Sequence, residues 1–272
     1  MIRSTSLGLQ RNISSATMAA PVEQITLYTA KAEIALAEAG VDFTRFEIDL
    51  ANKPEWYAPQ VNPASKVPAV AYGGPPVPAS QPSPASAKIA ESLVILEFFA
   101  DLFPQTTTLL PTSPVLRAKA RLFIDAISNK FVPSFYKFQA LGDSSPQNIA
   151  SMFEAVEITQ RLLADPEKEK EGGGEYALGK EFSNADAAIA PFLVRWEIGL
   201  SEDIGAYEEG EGKKVWDLLS KEAKYERFRR YLRVLKERES VKKTYDADYI
   251  RDFYGKRFAE ARAKRKAQAA SA

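Results

Sequence analysis

From Gln24 onward, apolar and polar residues first recur in the patterns of short strands and a short helix. Residues 25–29 form a β-type run, residues 32–39 form an apolar helical run that ends at Gly40, and residues 43–50 form a second strand. In this second strand one face carries Thr44, Phe46, Ile48 and Leu50. A strand, a helix and a strand in this order predict a right-handed βαβ unit with parallel strands.

The next apolar runs predict a hairpin and a helix. A third strand over residues 67–72 is turned by Gly73-Gly74, and a last short strand covers residues 88–90. The five prolines between residues 75 and 84 predict an exposed, stiff loop. An apolar helix then runs over residues 92–103. A βαβ unit, a hairpin and a final helix together predict a thioredoxin-like α/β domain.

Everything after Pro114 has the residue spacing of helices. Residues 115–141 are amphipathic, with a kink expected at Pro133. Ser183 and Asp186 form a Ser-x-x-Asp capping box before a run that is apolar nearly all round, which predicts a helix in the middle of a bundle. Further helices are predicted over residues 149–163, 225–239 and 248–264.

The predicted fold class is therefore α/β plus all-α, with an N-terminal thioredoxin-like domain followed by an all-helical C-terminal domain. The expected boundaries are 23–105 for the first domain, 113–262 for the second and 263–272 for a basic tail. The charged, glycine-rich residues 167–174 are expected to be disordered. The basic residues near the C-terminus are expected to lie on a solvated helix end rather than to form a binding patch. They are Arg262, Lys264, Arg265 and Lys266.

Composition excludes several kinds of chemistry. The 272 residues include no Cys and no His, so thiolate nucleophiles, imidazole bases and the common zinc sites are excluded, and no metal is expected. Thirty-six basic residues balance 36 acidic ones, which gives no electrostatic reason to expect nucleic acid as a partner. No apolar run approaches the roughly 20 residues that a membrane span needs, so no membrane partner is expected and the cytoplasm is the expected location.

Residues 1–22 differ in composition from the rest of the chain. They carry Arg3, Arg11 and several Ser and Thr, and the first acidic residue is Glu23. This composition is typical of a mitochondrial presequence. A disordered extension or a wrongly assigned start, with Met18 as the alternative start, explains it equally well.

Two short motifs predict a clamp for a small peptide. In Val67-Pro68, the proline lacks an amide hydrogen, which leaves Val67 with backbone groups for an extended ligand. In Glu91-Ser92, the serine is expected to cap a helix whose free amides and dipole attract a carboxylate. Glu91 adds a negative charge that suits an ammonium group. Each motif alone also fits an ordinary turn or helix cap.

These motifs, taken in order, resemble the glutathione transferases. The resemblance rests on Val67-Pro68, Glu91-Ser92, residues 182–186 (FSNAD) and residues 52–56 (NKPEW), and it covers the chain from about Gln24 to Phe258. The last motif and the helical half are similar to the omega-like class of fungi. The resemblance implies glutathione as co-substrate or ligand, a small aromatic or hydrophobic second ligand, and a homodimer as in relatives.

The resemblance also assigns roles to residues of this chain. Val67 is expected to pair its backbone with the cysteinyl part of glutathione, and Pro68 to be a cis proline. Glu91 and Ser92 are expected to hold the γ-glutamyl group, and Lys53 the glycyl carboxylate. For Lys53, an exposed lysine at a helix start is the alternative.

The chain departs from the family pattern where the first strand meets the first helix. Relatives carry a Cys-or-Ser-Pro-aromatic segment there that faces the glutathione sulfur, whereas Lys31 is followed directly by Ala32. The junction is about seven residues shorter, which corresponds to roughly 10 Å of helix. Thr29 and, more weakly, Tyr28 are the candidates for a substitute hydroxyl. A mis-joined exon or an alternative transcript explains the same gap.

The resemblance implies a hydrophobic site between the two halves. Its expected lining is Phe131, Phe135, Tyr136, Phe138 and Trp196, although aromatic residues at helical spacing also fit a core. Ser183 and Asp186 are expected to be a structural cap. Two functions stay open at this point: a transferase with impaired chemistry, and a non-catalytic carrier of glutathione and aromatic compounds.

Overall fold

The computed structural model describes residues 23–29, 33–50, 52–105, 108–164 and 174–270. Residues 1–22, the Lys31-Ala32 junction and most of the 167–174 segment lie outside these ranges, so the predictions made for them stay predictions. The first domain contains strands β1 (Ile25–Thr29), β2 (Thr44–Glu47), β3 (Ala69–Tyr72) and β4 (Ala87–Ala90) and helices α1 (Ile34–Ala39), α2 (Tyr57–Gln60) and α3 (Ser92–Leu102).

The four strands form one mixed sheet in the order β2-β1-β3-β4. Strands β1 and β2 are parallel, while β3 is antiparallel to both β1 and β4. Gly40 ends α1 and Gly73 turns β3, both with the left-handed backbone that glycine tolerates. The predicted thioredoxin-like fold is confirmed.

The two faces of the sheet bury different side chains. Leu27 and Val70 point into the main core, which also contains α1, α3 and much of the helical domain. Tyr28, one residue further along β1, belongs to a smaller cluster with Ile48 and Tyr57 on the other face. The period-2 alternation of β1 therefore separates the surface that meets the helical domain from the surface covered by α2.

The second domain is helical. Its helices are α4 (Pro114–Ala126), α5 (Val132–Gln139), α6 (Pro146–Leu162), α7 (Asn184–Ser201), α8 (Glu211–Lys221), α9 (Glu226–Glu237), α10 (Glu239–Thr244) and α11 (Ala247–Ala270). A π-helical turn, Ile127–Phe131, joins α4 to α5, so the expected break at Pro133 begins one turn earlier. Helix α8 was not predicted from the sequence. No helix of the described residues is both long enough and apolar enough to cross a membrane.

The predicted capping box is confirmed and forms the centre of a larger network. Asp186 accepts hydrogen bonds from the Ser183 amide (2.9 Å), the Ser183 hydroxyl (2.9 Å), the Ala177 amide (2.7 Å) and the Tyr231 hydroxyl (2.8 Å). Asp186 is fully buried. It therefore joins the start of α7 to the preceding loop and to α9.

The basic end of the chain lies on α11, which continues to Ala270. Lys264, Arg265 and Lys266 are exposed there, as expected, whereas Arg262 is half-buried. Arg262 donates to the carbonyl oxygens of Gly205 (2.7 Å) and Asp203 (2.6 Å). Arg265 donates to the carbonyl oxygens of Gly142 (2.8 Å) and Ala206 (2.9 Å). These bonds hold α11 along the helical domain, so the expectation of a fully solvated end was wrong for Arg262.

A bidentate ion pair between Arg238 and Glu38 joins the two domains. Arg238, between α9 and α10, donates to both carboxylate oxygens of Glu38 in α1, at 2.9 and 2.7 Å. The Glu38 side chain is only 7% exposed, and the Arg238 guanidinium also lies over the Phe182 ring at 4.9 Å. This bidentate pair holds α1 against the helical domain. The start of α1 faces the space between the two domains.

Candidate functional site

A cleft of about 1370 Å³ lies between the two domains. The first domain contributes the start of α1, the end of β2, Val67-Pro68 and the start of α3. The helical domain contributes the π-helical turn, the middle of α7 and one side of α10 and α11. The cleft is large enough for a tripeptide together with a second small molecule.

The Val67-Pro68 peptide bond is cis, as the family resemblance implies. Pairing in β3 begins only at Ala69, so the backbone of Val67 lies outside the sheet. The segment is nevertheless held in place, because the carbonyl oxygen of Lys66 accepts hydrogen bonds from the Tyr57 hydroxyl (2.7 Å) and the Asn62 amide (2.8 Å). Val67 therefore presents unpaired backbone groups from a fixed loop at the wall of the cleft.

The start of α3 lies on the same cleft. Glu91, not Ser92, occupies the N-cap position, and its side chain forms no capping hydrogen bond. Ser92 is the first helical residue and lines the cleft, so its expected role as the cap was wrong. The first amides of α3 have no side-chain cap and attract a carboxylate.

Glu91 has a strained backbone. Its φ of 70° and ψ of 120° lie in a region that residues with a side chain rarely adopt. Such strain costs on the order of 1–3 kcal/mol and is concentrated at functional sites. The Glu91 side chain is exposed beside the cleft, where a negative charge can meet an ammonium group.

Lys53 does not line the cleft. Its ammonium group donates to the carbonyl oxygen of Ser65 at 2.5 Å, two residues before Val67. The bond ties the start of α2 to the loop that carries Val67-Pro68. In this arrangement Lys53 supports the clamp, and contact with a glycyl carboxylate remains a prediction.

Tyr28 is poorly placed to activate a thiol. Its ring is fully buried in the cluster on the far face of the sheet, and its hydroxyl donates to the carbonyl oxygen of Ala79 at 2.8 Å. Burial raises the pKa of Tyr28 to about 12. Tyr28 is absent from the cleft lining, and the side chain of Thr29 lies outside what the structure describes.

The comparisons with known proteins agree with this geometry. The model of the glutathione S-transferase N-terminal domain matches residues 27–102. Glutathione transferase Omega 1C of Trametes versicolor is 51% identical, with a TM-score of 0.79 over 88% of this chain and 98% of that chain. This chain belongs to the glutathione transferase family. Glutathione S-transferase U10 of Arabidopsis thaliana is 31% identical over 185 residues, which are 68% of each protein.

A third relative was solved in complex with an aromatic compound. Glutathione transferase Omega 2S of Trametes versicolor, in complex with 2,4-dihydroxybenzophenone, is 39% identical, with a TM-score of 0.75 over 86% of this chain and 98% of that chain.

Glu33 is a functional candidate that the sequence analysis did not identify. It immediately precedes α1, lines the cleft and is 8% exposed. Burial raises the pKa of Glu33, while the Arg45 guanidinium 2.8 Å away opposes the rise and Glu47 adds to it. The signal in the sequence was an acidic residue directly before the apolar run of α1.

The aromatic residues expected to line a hydrophobic site do not line the cleft. Phe131, Phe135, Phe138 and Trp196 are between 0% and 7% exposed and pack together in the core of the helical domain. The Trp196 ring lies 5.3 Å from the Phe131 ring and 5.1 Å from the Phe135 ring. Tyr136 is 56% exposed, and none of the five residues lines the cleft.

Aromatic residues of α11 and α7 line the cleft instead. Tyr249 and Phe253 are 44% and 38% exposed, and their rings stack at 5.5 Å with an angle of 7° between the planes. Phe192 of α7 and Tyr254 complete this wall. The spacing of Tyr249 and Phe253 by one helical turn was the available signal, because such residues share a face.

Proposed function

We propose that this glutathione transferase binds glutathione in the cleft and acts on small hydrophobic or aromatic compounds, with weakened activation of the thiol. The proposal rests on one observation. Backbone groups without hydrogen-bond partners, those of Val67 and those at the start of α3, line the same cleft. Glutathione, with a central peptide unit and charged ends, suits this pair. The role corresponds to detoxification by an omega-like enzyme in the cytoplasm.

The proposed placement of glutathione follows from these groups. Its cysteinyl part pairs with the Val67 backbone, its γ-glutamyl carboxylate meets the first amides of α3 and the Ser92 hydroxyl, and its ammonium group meets Glu91. The glycyl carboxylate lies toward Lys53, which changes partner from the Ser65 carbonyl oxygen to reach it.

Weakened thiol activation follows from the surroundings expected for the sulfur. A free thiol has a pKa of about 8.5, and enzymes lower this value with a cation, a helix dipole or a hydroxyl donor. Here the Tyr28 hydroxyl is bound elsewhere, and the start of α1 carries the Glu33 carboxylate. A negative charge beside a thiol disfavours the thiolate. Thr29 remains the proposed substitute donor.

The proposed second ligand is a small aromatic molecule. The stacked rings of Tyr249 and Phe253 offer it an apolar wall of the same cleft that Val67-Pro68 lines. The related Omega 2S protein, which was solved with a dihydroxybenzophenone, supports this class of compound.

Inserting the Cys-Pro-aromatic segment that relatives carry between the first strand and the first helix tests the proposal. Turnover of a chlorinated nitroaromatic by the present chain is compared with that of a variant that carries Cys-Pro-aromatic between Lys31 and Ala32. Because the inserted group activates the thiol, we expect at least about a hundredfold increase in turnover at unchanged glutathione affinity. Equal rates would contradict weakened activation.

A non-catalytic carrier is the second candidate function. The buried Glu33 carboxylate favours it, because it opposes thiolate formation without affecting the clamp. A carrier binds glutathione and the aromatic compound but shows no turnover above the rate in buffer at any pH. Measurable turnover that rises with pH instead supports the impaired transferase.

The proposal includes a homodimer. Val94 of α3 and Val115 and Leu122 of α4 are 55%, 65% and 57% exposed and offer apolar surface to a partner. We expect the full chain to sediment as a dimer and a Leu122→Glu variant to sediment as a monomer.

The mitochondrion, with import directed by residues 1–22, stays the alternative location.

A further inference from the structure

The loop between β3 and β4, residues 73–86, carries the five prolines that the proposed function does not use. Its residues 75–78, here named the proline segment, are Pro-Pro-Val-Pro. All three prolines of the segment are exposed, whereas Val77 is half-buried. No residue of the loop lines the cleft. The segment therefore offers proline rings to solvent outside the proposed glutathione site.

Proline chemistry restricts the backbone of the proline segment to an extended helix. A proline ring holds its own φ at about −65° and keeps the residue before it out of the α region. The peptide bonds that precede these three prolines are trans. Under these restrictions the segment favours the polyproline II helix, which makes one turn in about three residues. Pro75 and Pro78 therefore lie on the same face of the segment, one turn apart.

Two side chains at the start of the first domain hold the proline segment in place. The Gln24 side-chain amide donates to the carbonyl oxygen of Val77 at 2.9 Å and accepts from the Val77 amide at 3.0 Å. One residue after the segment, the Tyr28 hydroxyl donates to the carbonyl oxygen of Ala79 at 2.8 Å. These bonds fix the backbone of the segment while the rings of its prolines stay exposed.

The groups that the proline segment offers to a partner are uncharged. Residues 67–87 include no acidic and no basic side chain. Among the residues that the structure describes, none donates a hydrogen bond to the carbonyl oxygens of Pro75 and Pro76. A partner therefore recognises proline rings and carbonyl oxygens, and it needs aromatic surfaces and hydrogen-bond donors rather than a charged pocket.

We propose that the proline segment is a docking site for a protein whose groove is lined by aromatic side chains, as in SH3 and WW domains. The aromatic rings of the groove contact Pro75 and Pro78, and donors of the partner meet the free carbonyl oxygens. Because the segment is already held in an extended helix, docking costs little conformational entropy. The inference does not rest on the proposed function, because the loop contributes no residue to the cleft.

Calorimetric titration of the full chain with a panel of purified SH3 and WW domains tests this proposal. We expect at least one domain to bind with a Kd of about 100 μM or tighter. The double variant Pro75→Ala with Pro78→Ala loses both rings, so its affinity for that domain is expected to fall at least about tenfold. Pro84→Ala is the matched control, because it removes an exposed proline of the same loop outside the segment. Its affinity is expected to stay within about twofold of wild type.

Gln24→Leu tests the contribution of the fixed backbone. It keeps every proline but loses both bonds to Val77, so we expect its affinity for the same domain to fall about three- to tenfold. Circular dichroism shows whether each variant is folded, and binding is compared among folded variants.

Four results would each overturn the proposal: no binding to any domain of the panel at about 1 mM, equal binding by wild type and the double variant, an equal loss in Pro84→Ala, or unchanged binding by Gln24→Leu. Saturating glutathione is expected to leave the affinity for the domain unchanged, because the loop lies outside the cleft. Glutathione affinity, titrated separately, reports on the proposed function alone.

Discussion

At the scale of single residues, the clamp depends on backbone groups that are left without partners. Val67 is excluded from the sheet ladder, and Glu91 has a left-handed backbone at the start of α3. Both features reduce stability and are useful only if a ligand pairs with the exposed groups. Glu91 therefore combines a structural cost with a proposed binding role.

Replacing Glu91 distinguishes its cost to stability from its proposed role in glutathione binding. Glu91→Gly relieves the left-handed strain, so we expect the free energy of unfolding to rise by about 1 kcal/mol. The same variant loses the carboxylate, so its affinity for glutathione is expected to fall about tenfold. Denaturant unfolding and calorimetric titration measure the two effects.

Asp101→Asn is the control for Glu91, because it removes a carboxylate from the exposed far end of the same helix. We expect Asp101→Asn to leave the free energy of unfolding and the glutathione affinity unchanged. Lower stability of Glu91→Gly would contradict the strain, and unchanged affinity would contradict the proposed contact with the ammonium group.

The raised pKa of Glu33 predicts a pH dependence of stability. A carboxyl whose pKa is higher in the folded state than in the unfolded state stabilises the fold below its ordinary pKa of about 4.3, and this stabilisation is lost as pH rises through the folded value. Glu33→Gln does not titrate. The stability of Glu33→Gln relative to wild type is therefore expected to increase from pH 4 to pH 7.5.

Urea unfolding at both pH values measures this difference for Glu33. A difference that is constant between pH 4 and pH 7.5 would show that burial does not raise the pKa of this carboxyl.

At the scale of elements, the start of α7 is held by one buried carboxylate that bonds to α9 and to the preceding loop. The sequence carries the Ser-x-x-Asp signal for the cap, because both partners lie within one helical turn. It carries no signal for the bonds to Ala177 and Tyr231, which are 9 and 45 residues away from Asp186.

Asp186→Asn is expected to lower the free energy of unfolding by about 2–4 kcal/mol, because buried donors lose their charged acceptor. Glutathione affinity of the folded fraction is expected to stay unchanged, since Asp186 is buried in the helical domain and does not line the cleft. Chemical unfolding and calorimetric titration measure these quantities. A stable variant with weak glutathione binding would contradict the structural role.

Local patterns predicted the strands and most helices, because alternation and helical spacing depend on near neighbours, whereas the cis proline followed from the family resemblance. The predictions failed for the aromatic residues of the π-helical turn, α5 and α7. Apolar spacing shows that Phe131 and Phe135 share a helix face, but a core and a ligand site both need such a face. Packing against Trp196 of α7 and Phe228 of α9 decided between them, and both partners are more than 60 residues away in the sequence.

At the scale of the whole molecule, the cleft exists because two domains are held at a fixed distance. The Arg238–Glu38 pair is the strongest polar link between them, since it is bidentate and the Glu38 side chain is 7% exposed. It acts on α1, whose start carries Glu33 at the cleft. The geometry of the cleft therefore depends on a contact outside it.

Arg238→Met is expected to lower the free energy of unfolding by about 2–4 kcal/mol, because the buried Glu38 carboxylate is left without its partner. The double variant Arg238→Met with Glu38→Gln is expected to recover at least about 1 kcal/mol of this loss. Chemical unfolding of the two single variants and the double variant measures the coupling. Additive losses would show that the two side chains do not stabilise each other.

The central claim is that the chain holds glutathione but does not activate its sulfur. Its most direct test is the pKa of the bound glutathione thiol, followed by the ultraviolet absorbance of the thiolate as pH is raised. The account predicts saturable glutathione binding with a thiol pKa at or above the free value of about 8.5, and a pKa lower by roughly half a unit or more in Glu33→Gln. A bound thiol with a pKa below about 7.5 in the unmodified chain would contradict it.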